Sequence, residues 1–475
     1  MASLTPLNQL AQNAPKLPVT LDSRKAGPGI IFVAAKGATP ASRDGHDFIE
    51  QAIQQGCSGL ILENFLGALP ANIPVWQSDN ARIWAAKLSE QAAGFPSKSL
   101  NLCGVTGTNG KTTVTFLVAS IAKSFGRQAA VIGTIGAGPP DALKAFGFTT
   151  PEAENLSPLL AQMRDQGVNQ VAMEVSSHAL ATYRVDGLRF KAAGFTNLSQ
   201  DHLDFHGDME SYGKAKMRLF EELLDEDGTA VLPVGKIPPF AKGGPGGILR
   251  WGYSPEADIS ASEINHTPTG IHFNLRIKTD QAKVQSQLFG GFNLDNMLCA
   301  AGIAYATGIP LSAIAAGLSS ATVPKGRLER VCPQKPAVFV DFAHTPDALD
   351  NVLKTLREIC TGKLIVVFGC GGDRDRTKRP IMAKAALDNA DIVIATQDNP
   401  RHEDPAQIIA DMALPTGTSI IHDRRLAIKS AIEMADSEDM VLIAGKGHET
   451  TQQIKDDYQS FDDAQIAYEI LLLRH

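Results

Sequence analysis

The sequence predicts an α/β protein with about three domains, and three observations lead to this prediction. The chain has 475 residues, which is more than a single hydrophobic core usually spans. Short apolar runs of strand length alternate with longer runs of helical periodicity, the pattern of parallel sheets covered by helices. The strand-like run 100–105 leads into a Gly/Thr/Asn turn and then a helical pattern, an order typical of ligand-binding α/β sheets.

Composition and charge describe a globular chain with no general affinity for nucleic acid or membranes. Hydrophobic residues make up 44% of it, charged residues 20%, and the formal net charge is -7. No apolar run has the length of a bilayer span, and the first 16 residues lack the pattern of a signal peptide. The six cysteines show no CxxC spacing, so we expect reduced thiols in a cytoplasmic protein. We also expect a monomer.

Residues 1–97 form the first predicted domain. An apolar run at 30–35, a helical pattern at 46–56 and a strand-like run at 60–62 follow one another there. The turn residues of Ala93-Gly-Phe-Pro-Ser97 are typical of a linker, which places the domain boundary after residue 97.

Residues 98–330 form the central predicted domain. Its elements are strands at 100–105, 129–132, 170–175 and 193–196, and a helix at 112–125. Helical patterns between the strands fit a parallel sheet with right-handed crossovers. The stretch 233–247 is dense in Pro and Gly and is expected to be a loop.

Residues 331–475 form the third predicted domain, in which strands and helices alternate regularly. We expect strands at 338–342, 364–368, 392–395, 419–421 and 441–444, and helices at 346–358, 378–389 and 424–434. This alternation is typical of a doubly wound, Rossmann-like domain.

A glycine-rich turn joins the first central strand to its helix. It comprises Gly107, Thr108, Asn109, Gly110, Lys111, Thr112 and Thr113. Glycines let backbone amides approach phosphate oxygens, Lys111 can reach the terminal phosphates of a nucleotide, and Thr112 can hold Mg2+. Val105 stands where the general pattern GxxxxGK[ST] has glycine, so on spacing alone a simple glycine turn remains the alternative.

Acidic and histidine side chains follow two of the central strands. Glu174 ends the strand at 170–175, at the edge where parallel sheets bind ligands, and can supply an oxygen to Mg2+. His202, next to Asp201 in an acidic and His-rich stretch, can serve the metal or the nucleotide. A solvent-facing strand-end charge and a packing histidine are the alternatives.

Seven segments together resemble the Mur ligase family. They are TGTNGKTT, EVSSHAL, NLSQDHLDFHGDMESYGKAK, GFNLDNMLCA, GRLER, DFAHTPDAL and GCGGDRDRTKRP, in the family's order and across nearly the whole chain. The shortened phosphate loop with Val105 is itself the family's form. The resemblance implies an ATP-dependent ligase of peptidoglycan synthesis with a UDP-MurNAc-binding domain, a central P-loop-type ATPase domain and a C-terminal Rossmann-like domain that receives an amino acid.

The resemblance implies ATP and Mg2+ as cofactors and a UDP-N-acetylmuramoyl dipeptide as one substrate. The residues that match its binding positions are Leu21 and Ser23 on the uridine side, Thr149 and Thr150 along the sugar-peptide, and Ser176, Thr182 and Arg184 near its anionic part. Thr182 stands where relatives usually have glutamine. Departures from the family also occur at Ala38, Thr39 and Pro40 and in the stretch 231–235.

The resemblance also implies the groups that act on the nucleotide. The positions that match nucleotide contacts or the hinge beside them are Asn296, Arg327, Asp341 and His344. Lys216 matches a lysine that family members carbamylate with CO2, which gives a carboxylate-like ligand for a second Mg2+; without the family, a solvated helix lysine is the expectation. The expected catalytic residues are therefore Lys111, Glu174, His202 and Lys216, and the expected metal ligands are Thr112, Glu174 and carbamylated Lys216.

The segment Asp398, Asn399, Pro400 and Arg401 matches the signature of family members that add meso-diaminopimelate. Arg401 can pair bidentately with the distal carboxylate that diaminopimelate has and lysine lacks. Further candidates are Arg379 for a carboxylate and Gly445 and Glu449 for the distal ammonium. The implied reaction activates the D-glutamyl γ-carboxylate as an acyl phosphate, which the amine then attacks.

Three alternatives stay open at this point. The chain can be a lysine-adding ligase or another Mur-type amide ligase such as a folylpolyglutamate synthase, against which Arg401 and the Leu21 segment argue. It can also be a regulatory protein that binds the nucleotide without catalysis. The presence of Lys111, Glu174, Lys216 and Arg401 together argues against that alternative.

Overall fold

The computed structural model describes residues 17–37, 42–64, 67, 72–235, 247–267, 270–322 and 324–474. The sequence predictions for the first 16 residues, for Ala38, Thr39 and Pro40, and for most of the loop at 233–247 lie outside the described residues. Across the described residues, no helix combines the length and apolarity that a bilayer crossing requires. All six cysteines lie within them, and each is a free thiol.

The first unit is a small parallel sheet with the strand order β1-β2-β3-β4. Its strands are β1 (Val19–Thr20), β2 (Ile31–Ala34), β3 (Gly59–Glu63) and β4 (Val75–Ser78), and its helices are α1 (Ile49–Gln54) and α2 (Ala81–Ala92). Short 3-10 turns at Ser23–Lys25 and Gly45–Phe48 precede β2 and α1. Apolar side chains are buried on both faces of the sheet.

The central unit is a ten-stranded sheet with the order β14-β13-β12-β11-β10-β9-β5-β8-β6-β7. Its strands are β5 (Asn101–Thr106), β6 (Ala129–Gly133), β7 (Gly136–Gly138), β8 (Gln170–Glu174), β9 (Phe190–Phe195), β10 (Leu224–Pro233), β11 (Ile248–Trp251), β12 (Ile259–Thr267), β13 (Gly270–Ile277) and β14 (Asp280–Ser286). The strands from β12 to β6 pair in parallel, whereas β12-β13-β14 and β6-β7 pair antiparallel.

Helices cover both faces of the central sheet. They are α3 (Pro96–Ser99), α4 (Lys111–Ser124), α5 (Ala153–Asp165), α6 (Ser177–Ala181), α7 (Leu203–His206), α8 (Met209–Glu221), α9 (Gly291–Ala306) and α10 (Leu311–Ser320). One apolar core lies beneath α4, α9 and α10, and a second lies beneath α5 and α8. Strand β5 lies between β8 and β9, so its carboxyl end opens at the crevice where successive connections leave in opposite directions.

The C-terminal unit is a six-stranded sheet with the order β15-β16-β20-β17-β18-β19, in which only the edge strand β15 runs antiparallel. Its strands are β15 (Glu329–Arg330), β16 (Ala337–Asp341), β17 (Leu364–Phe368), β18 (Ile392–Ala395), β19 (Ser419–Ile420) and β20 (Met440–Ala444), followed by the hairpin β21 (Thr451–Ile454) and β22 (Asp457–Ser460). Its helices are α11 (Pro346–Ile359), α12 (Lys378–Asn389), α13 (Pro405–Ala410), α14 (Arg424–Met434) and α15 (Asp463–Leu473).

Local sequence explains where these C-terminal helices begin. Thr345 caps α11 by accepting a hydrogen bond from the Ala348 amide at 3.2 Å, and Pro346 occupies the first helical position, where no amide hydrogen is needed. Asp423 caps α14 in the same way through the Leu426 amide at 2.9 Å. The strands between them are buried on both faces, as parallel strands require.

Candidate active site

The phosphate loop lies at the carboxyl end of β5 and leads directly into α4. Gly107 and Gly110 have φ values of 144° and 85°, which favour glycine. A β-carbon at Gly107 would overlap the Thr196 hydroxyl, and one at Gly110 would overlap the Asn296 side chain. Both glycines are therefore required by conformation and by space, and the first amides of α4 remain open to an anion.

Two lysines converge on one carbonyl of this loop. Lys111 Nζ donates to the Gly107 and Thr108 carbonyls at 3.0 and 2.7 Å, and Lys216 Nζ donates to the Gly107 carbonyl at 2.8 Å. Burial lowers the pKa of both ammonium groups, and the charge of Lys111 lowers the pKa of Lys216 further, to well below its usual value. An anion placed here would meet two adjacent amines, one of which loses its proton readily.

Glu174 and Thr112 bring oxygen atoms together beside the loop. The Thr112 hydroxyl donates to Glu174 Oε1 at 2.9 Å, and the Thr134 amide and hydroxyl donate to the two Glu174 oxygens at 3.0 and 3.1 Å. Arg327 Nη2 donates to the Thr112 hydroxyl at 2.9 Å. A carboxylate and a hydroxyl are thus fixed at the edge of the cleft, the oxygen types that Mg2+ prefers.

Asp201 links the central and C-terminal walls of the cleft. Its carboxylate lies 3.3 Å from His202 Nε2, 4.0 Å from His344 Nε2 and 3.9 Å from Lys378 Nζ. Burial opposes ionisation, but these neighbours lower the pKa of Asp201. Burial also lowers the pKa of His202, and it lowers the pKa of His344 to about 4. Both imidazoles are therefore neutral at neutral pH.

The opposite wall of the cleft comes from loops that follow β18 and β20. Arg401 has a φ of 51° and donates from Nη1 to the Gly372 carbonyl at 2.8 Å. The hairpin β21-β22 fixes its backbone, because the Arg401 amide donates to the Gln453 carbonyl at 3.2 Å and its carbonyl accepts from the Lys455 amide at 2.7 Å. Gly445 passes so close to Asp398 that a β-carbon there would lie 2.6 Å from the carboxylate.

These groups enclose two adjoining cavities between the central and C-terminal units. The first, of about 330 Å³, is lined by all four predicted catalytic residues and by five of the seven predicted amino-acid-binding residues. Its predicted residues are Thr108, Asn109, Gly110, Lys111, Thr112, Thr149, Glu174, Ser176, His202, Lys216, Arg327, His344, Asp398, Asn399, Arg401, Gly445 and Glu449. The second, of about 820 Å³, adds the predicted nucleotide contacts Thr113, Asn296 and Asp341.

Arg327 lies where the two cavities meet, and Asp341 lines the larger of them. Arg327 lines both cavities, and its guanidinium lies 4.6 Å from the centre of the Phe342 ring. Asp341 accepts a hydrogen bond from the Leu328 amide at 2.6 Å, and burial raises the pKa of this carboxyl to about 6. The hinge segment before β15 thus contributes directly to the lining of the site.

The other predicted substrate residues, Leu21, Ser23, Thr150, Thr182 and Arg184, lie outside the lining of both cavities. Thr150 donates to the Glu174 carbonyl at 2.8 Å, and Arg184 donates to the Thr150 carbonyl at 3.0 Å and pairs with Glu152 at 2.9 Å. The Leu21 amide donates to the Glu154 carboxylate. The Ser23 hydroxyl donates to Gln51 at 2.9 Å, and the Thr182 hydroxyl donates to the His178 carbonyl at 2.7 Å.

Arg379 is paired within the protein. It is fully buried, and its guanidinium pairs with Glu403 at 2.9 Å and Asp411 at 2.7 Å. Both sides of the guanidinium fork therefore bind protein carboxylates, and direct contact of Arg379 with a substrate carboxylate stays a prediction. Arg379 joins α12 to the loop that follows Pro400, a residue that is itself outside the cleft lining.

Sequence reasoning missed several polar residues of the cleft region, three of which hold other residues of the site in place. Thr134 binds both oxygens of Glu174, Lys378 faces Asp201, and Lys446 lies buried beneath Asn399 and Glu449. Lys446 stands between two glycines in the stretch 445–447, and Lys378 stands in a basic run. Neither pattern distinguishes a buried cation from an exposed one.

Comparisons with known proteins agree with this geometry. Residues 105–304 match the Mur ligase middle domain, and residues 326–447 match the family model described as Mur ligase, glutamate ligase domain. A relative from Geobacillus thermodenitrificans, UDP-N-acetylmuramoyl-L-alanyl-D-glutamate--2,6-diaminopimelate ligase, is 43% identical over 462 residues, which cover 94% of this chain and 93% of the relative.

Two solved structures have the same fold across almost the whole chain. A UDP-N-acetylmuramoyl-L-alanyl-D-glutamate--2,6-diaminopimelate ligase superposes with a TM-score of 0.68 at 37% identity, covering 97% of this chain and 96% of the other. MurF ligase from Thermotoga maritima in complex with ADP superposes with a TM-score of 0.63 at 19% identity, covering 97% and 99%. The second likeness concerns the fold alone.

Proposed function

Because this chain belongs to the Mur ligase family, we propose that it joins meso-diaminopimelate to UDP-N-acetylmuramoyl-L-alanyl-D-glutamate in an ATP-dependent amide ligation of peptidoglycan synthesis. The observation that carries this proposal is a single cleft in which the phosphate loop faces the Asp398–Arg401 segment. One wall is suited to activating a carboxylate. The other is suited to holding an amine donor that carries an additional carboxylate.

The two cavities divide the nucleotide between them. The amides from Gly110 to Thr113 and the Lys111 ammonium suit the triphosphate, whose terminal phosphate then points into the smaller cavity. The larger cavity, bounded by Asn296 and Asp341, has room for the nucleoside. Because Arg327 lines both cavities, its guanidinium can stabilise the negative charge on neighbouring phosphates of the nucleotide.

The residues beside the loop fit Mg2+. Thr112 and Glu174 offer a hydroxyl and a carboxylate whose oxygens lie 2.9 Å apart. Among the residues that the structure describes, no cluster of three or more His, Cys, Asp or Glu side chains forms a full metal cage. Mg2+ usually keeps several waters and takes its other ligands from phosphates, so two protein oxygens suffice. Bound there, the ion would offset charge on the terminal phosphates.

Lys216 suits the carbamylation that the family resemblance implies. Only a neutral amine adds to CO2, and the lowered pKa of Lys216 favours that form. The buried position on α8, beside the Gly107 carbonyl, places the resulting carboxylate next to the phosphate loop. The modification would also replace a cation that repels Lys111 by an anion that attracts it.

The reaction has two steps on these surfaces. The D-glutamyl γ-carboxylate attacks the γ-phosphorus of ATP, the bond to ADP breaks, and an acyl phosphate forms. Lys111 and the loop amides stabilise the charge that moves onto the transferred group. The neutral amine of diaminopimelate then attacks the acyl carbon, the bond from that carbon to the phosphate oxygen breaks, and the proton that the nitrogen loses leaves with the phosphate. Burial keeps the His202 imidazole neutral, so it adds no positive charge to that of the lysines beside the loop.

The wider properties of the protein follow from the same proposal. We place a UDP-MurNAc-binding domain at residues 1–97, the ATP-binding domain at 98–330 and the amino-acid-binding domain at 331–475. One copy of the chain supplies both walls of the cleft, which supports action as a monomer. The free cysteines support a location in the reducing cytoplasm.

Phosphate release tests the proposal directly. The protein is mixed with ATP, Mg2+ and UDP-N-acetylmuramoyl-L-alanyl-D-glutamate, and either meso-diaminopimelate or L-lysine is added. We expect phosphate and the tripeptide product with diaminopimelate and little of either with lysine. Equal turnover of lysine contradicts the proposed amine, and no phosphate release with either amine contradicts the ligase itself.

A matched pair of variants ties the activity to the loop. Lys111→Ala removes the ammonium beside the phosphates and is expected to abolish phosphate release. Lys123→Ala lies on the same helix, where the side chain is 80% exposed and pairs only loosely with Asp141 at 3.9 Å, and should leave turnover unchanged. Equal loss in both variants would mean that helix stability, not phosphate chemistry, explains the result.

A further inference from the structure

Lys446 is a fully buried cation directly beneath the proposed amino-acid site. Its Nζ donates to three oxygens: Asn399 Oδ1 at 3.0 Å, Glu449 Oε2 at 2.9 Å and the Thr451 carbonyl at 2.7 Å. Its side chain has 0% exposure, whereas that of Glu449 has 32%. The ammonium therefore uses all three of its protons inside the protein and contacts two of the residues that face the cleft.

The contact with Lys446 fixes which end of the Asn399 amide faces a ligand. Asn399 Oδ1 accepts from Lys446 and also from the Gln453 amide at 2.9 Å, so both of its lone pairs are used. Asn399 Nδ2 donates to Glu449 Oε2 at 2.8 Å and keeps a second hydrogen. Towards the cleft Asn399 can therefore only donate, which suits a carboxylate and not an ammonium.

In the same network the two carboxylate oxygens of Glu449 have different partners. Oε2 accepts from both Lys446 and Asn399. Within the part of the chain that the structure describes, Oε1 has no protein donor, and Glu449 lines the cleft. Glu449 thus presents one carboxylate oxygen to a cation while the other is held in place.

We propose that Lys446 is a positioning residue that divides this end of the cleft into a carboxylate-binding half, formed by Arg401 and the Asn399 amide hydrogen, and an ammonium-binding half, formed by Glu449. This inference rests on the proposed function and names what selects the amine. A ligand that fits both halves carries a carboxylate and an ammonium at its distal end. A ligand with an ammonium alone leaves Arg401 without a partner.

The charge balance of the site also favours a ligand that carries both a carboxylate and an ammonium at its distal end. Asp398, Arg401, Lys446 and Glu449 carry formal charges that sum to zero, and the lining pair Arg374 and Asp375 also cancels. A neutral site of this kind matches a zwitterionic distal end. Loss of the Lys446 charge would leave the site at one negative charge and would leave the Asn399 oxygen held only by the Gln453 amide, so that the side chain turns its oxygen outward more easily. Both changes favour an amine with a lone distal ammonium.

Lys446→Met tests the inference because methionine has similar length and no charge. We would measure kcat/KM for meso-diaminopimelate, for its distal carboxamide and for L-lysine. The ratio of diaminopimelate to lysine should fall about tenfold or more, in the range that hydrogen bonds to charged groups account for. The carboxamide, which keeps the size but loses the distal charge, should gain relative to diaminopimelate. The KM values for ATP and the UDP-dipeptide should stay within about twofold.

Two further variants distinguish a loss of selectivity between amines from a general loss of activity or stability. Lys446→Met/Glu449→Gln restores neutrality, so its amine ratio should return towards that of the native protein even though absolute turnover is low; it also covers the case in which the single variant fails to fold. Lys429→Met makes the same change in net charge at a side chain that is 53% exposed on α14 and should change nothing. Equal losses for all three amines, or an unchanged ratio, overturn the inference. A native protein that uses neither amine instead refutes the proposed function.

Discussion

Replacing Gly110 by alanine should weaken ATP binding far more than it weakens the fold. At the φ of 85° that Gly110 adopts, an L-residue costs about 1–2 kcal/mol. The added β-carbon would also overlap the buried Asn296 amide, which donates to Asn293 at 3.1 Å. Moving that amide sacrifices one hydrogen bond, worth about 1 kcal/mol. The phosphate-binding conformation of the loop is therefore penalised by about 2–3 kcal/mol.

This penalty corresponds to a rise in the ATP dissociation constant of roughly 30- to 150-fold, measurable by calorimetric titration. The control is Gly126→Ala, just beyond the other end of the same helix, where φ is 80° and a β-carbon would meet nothing within 4 Å. That variant suffers the same backbone strain and should bind ATP normally. Unchanged affinity in Gly110→Ala, or an equal loss in both variants, would refute the reasoning.

Four further outcomes are expected. Arg401→Ala should raise the KM for diaminopimelate roughly 10- to 150-fold, the effect of losing hydrogen bonds to a charged group, with the KM for ATP unchanged. Bicarbonate should activate CO2-depleted protein at neutral pH, because the lowered pKa of Lys216 favours the neutral amine that adds to CO2; Lys216→Arg should not respond. The KM for ATP should rise as pH falls through about 6, where Asp341 gains a proton, and Asp341→Asn should remove that inflection from the pH profile. Asp463→Asn should destabilise the C-terminal unit by about 3–5 kcal/mol, because the buried Arg424 loses its bidentate partner at 2.7 and 2.9 Å; urea unfolding followed by circular dichroism measures it.

Sequence patterns located the buried elements best. The strand Leu364–Phe368 and the helices Lys378–Asn389 and Arg424–Met434 have the boundaries that the sequence predicts. Continuous apolar runs and capped helices carry a strong local signal because burial fixes the period of the pattern. The helix predicted at 46–56 is shorter in the structure, where it spans Ile49–Gln54 and follows a 3-10 turn at Gly45–Phe48.

The antiparallel part of the central sheet was not predicted. Strands β12, β13 and β14 lie at Ile259–Thr267, Gly270–Ile277 and Asp280–Ser286, and many of their side chains remain partly exposed. Polar residues such as Ser262, Asn265 and Gln285 therefore interrupt the apolar pattern. Pairing with neighbouring strands stabilises these segments, and a single sequence does not reveal such pairing.

In the candidate site too, the residues that could be predicted are those identified by local sequence, and the residues that could not be predicted depend on contacts between distant parts of the chain. The phosphate loop was recognisable because its glycines, lysine and threonine are adjacent in sequence. Glu174 could be placed beside it because the carboxyl ends of parallel strands share one edge of a sheet. The direction of Arg379 could not be predicted, since it depends on Glu403 and Asp411, which only the fold brings near.

Among the described residues of the C-terminal unit, three fully buried cations follow one rule that the sequence alone does not reveal. Arg379, Arg424 and Lys446 each hold a loop that follows a strand: Arg379 binds the loop of Glu403, Arg424 donates to the Gln397 and Ala444 carbonyls, and Lys446 binds Asn399. Burying a paired charge contributes little net stability, but removing one partner is costly. Each cation therefore holds its loop in one position, because any displacement of the loop would leave a buried charge without its partner. That precision benefits a site that must tell a carboxylate from an ammonium, because a loop displaced by one hydrogen-bond length would present the wrong polar atom.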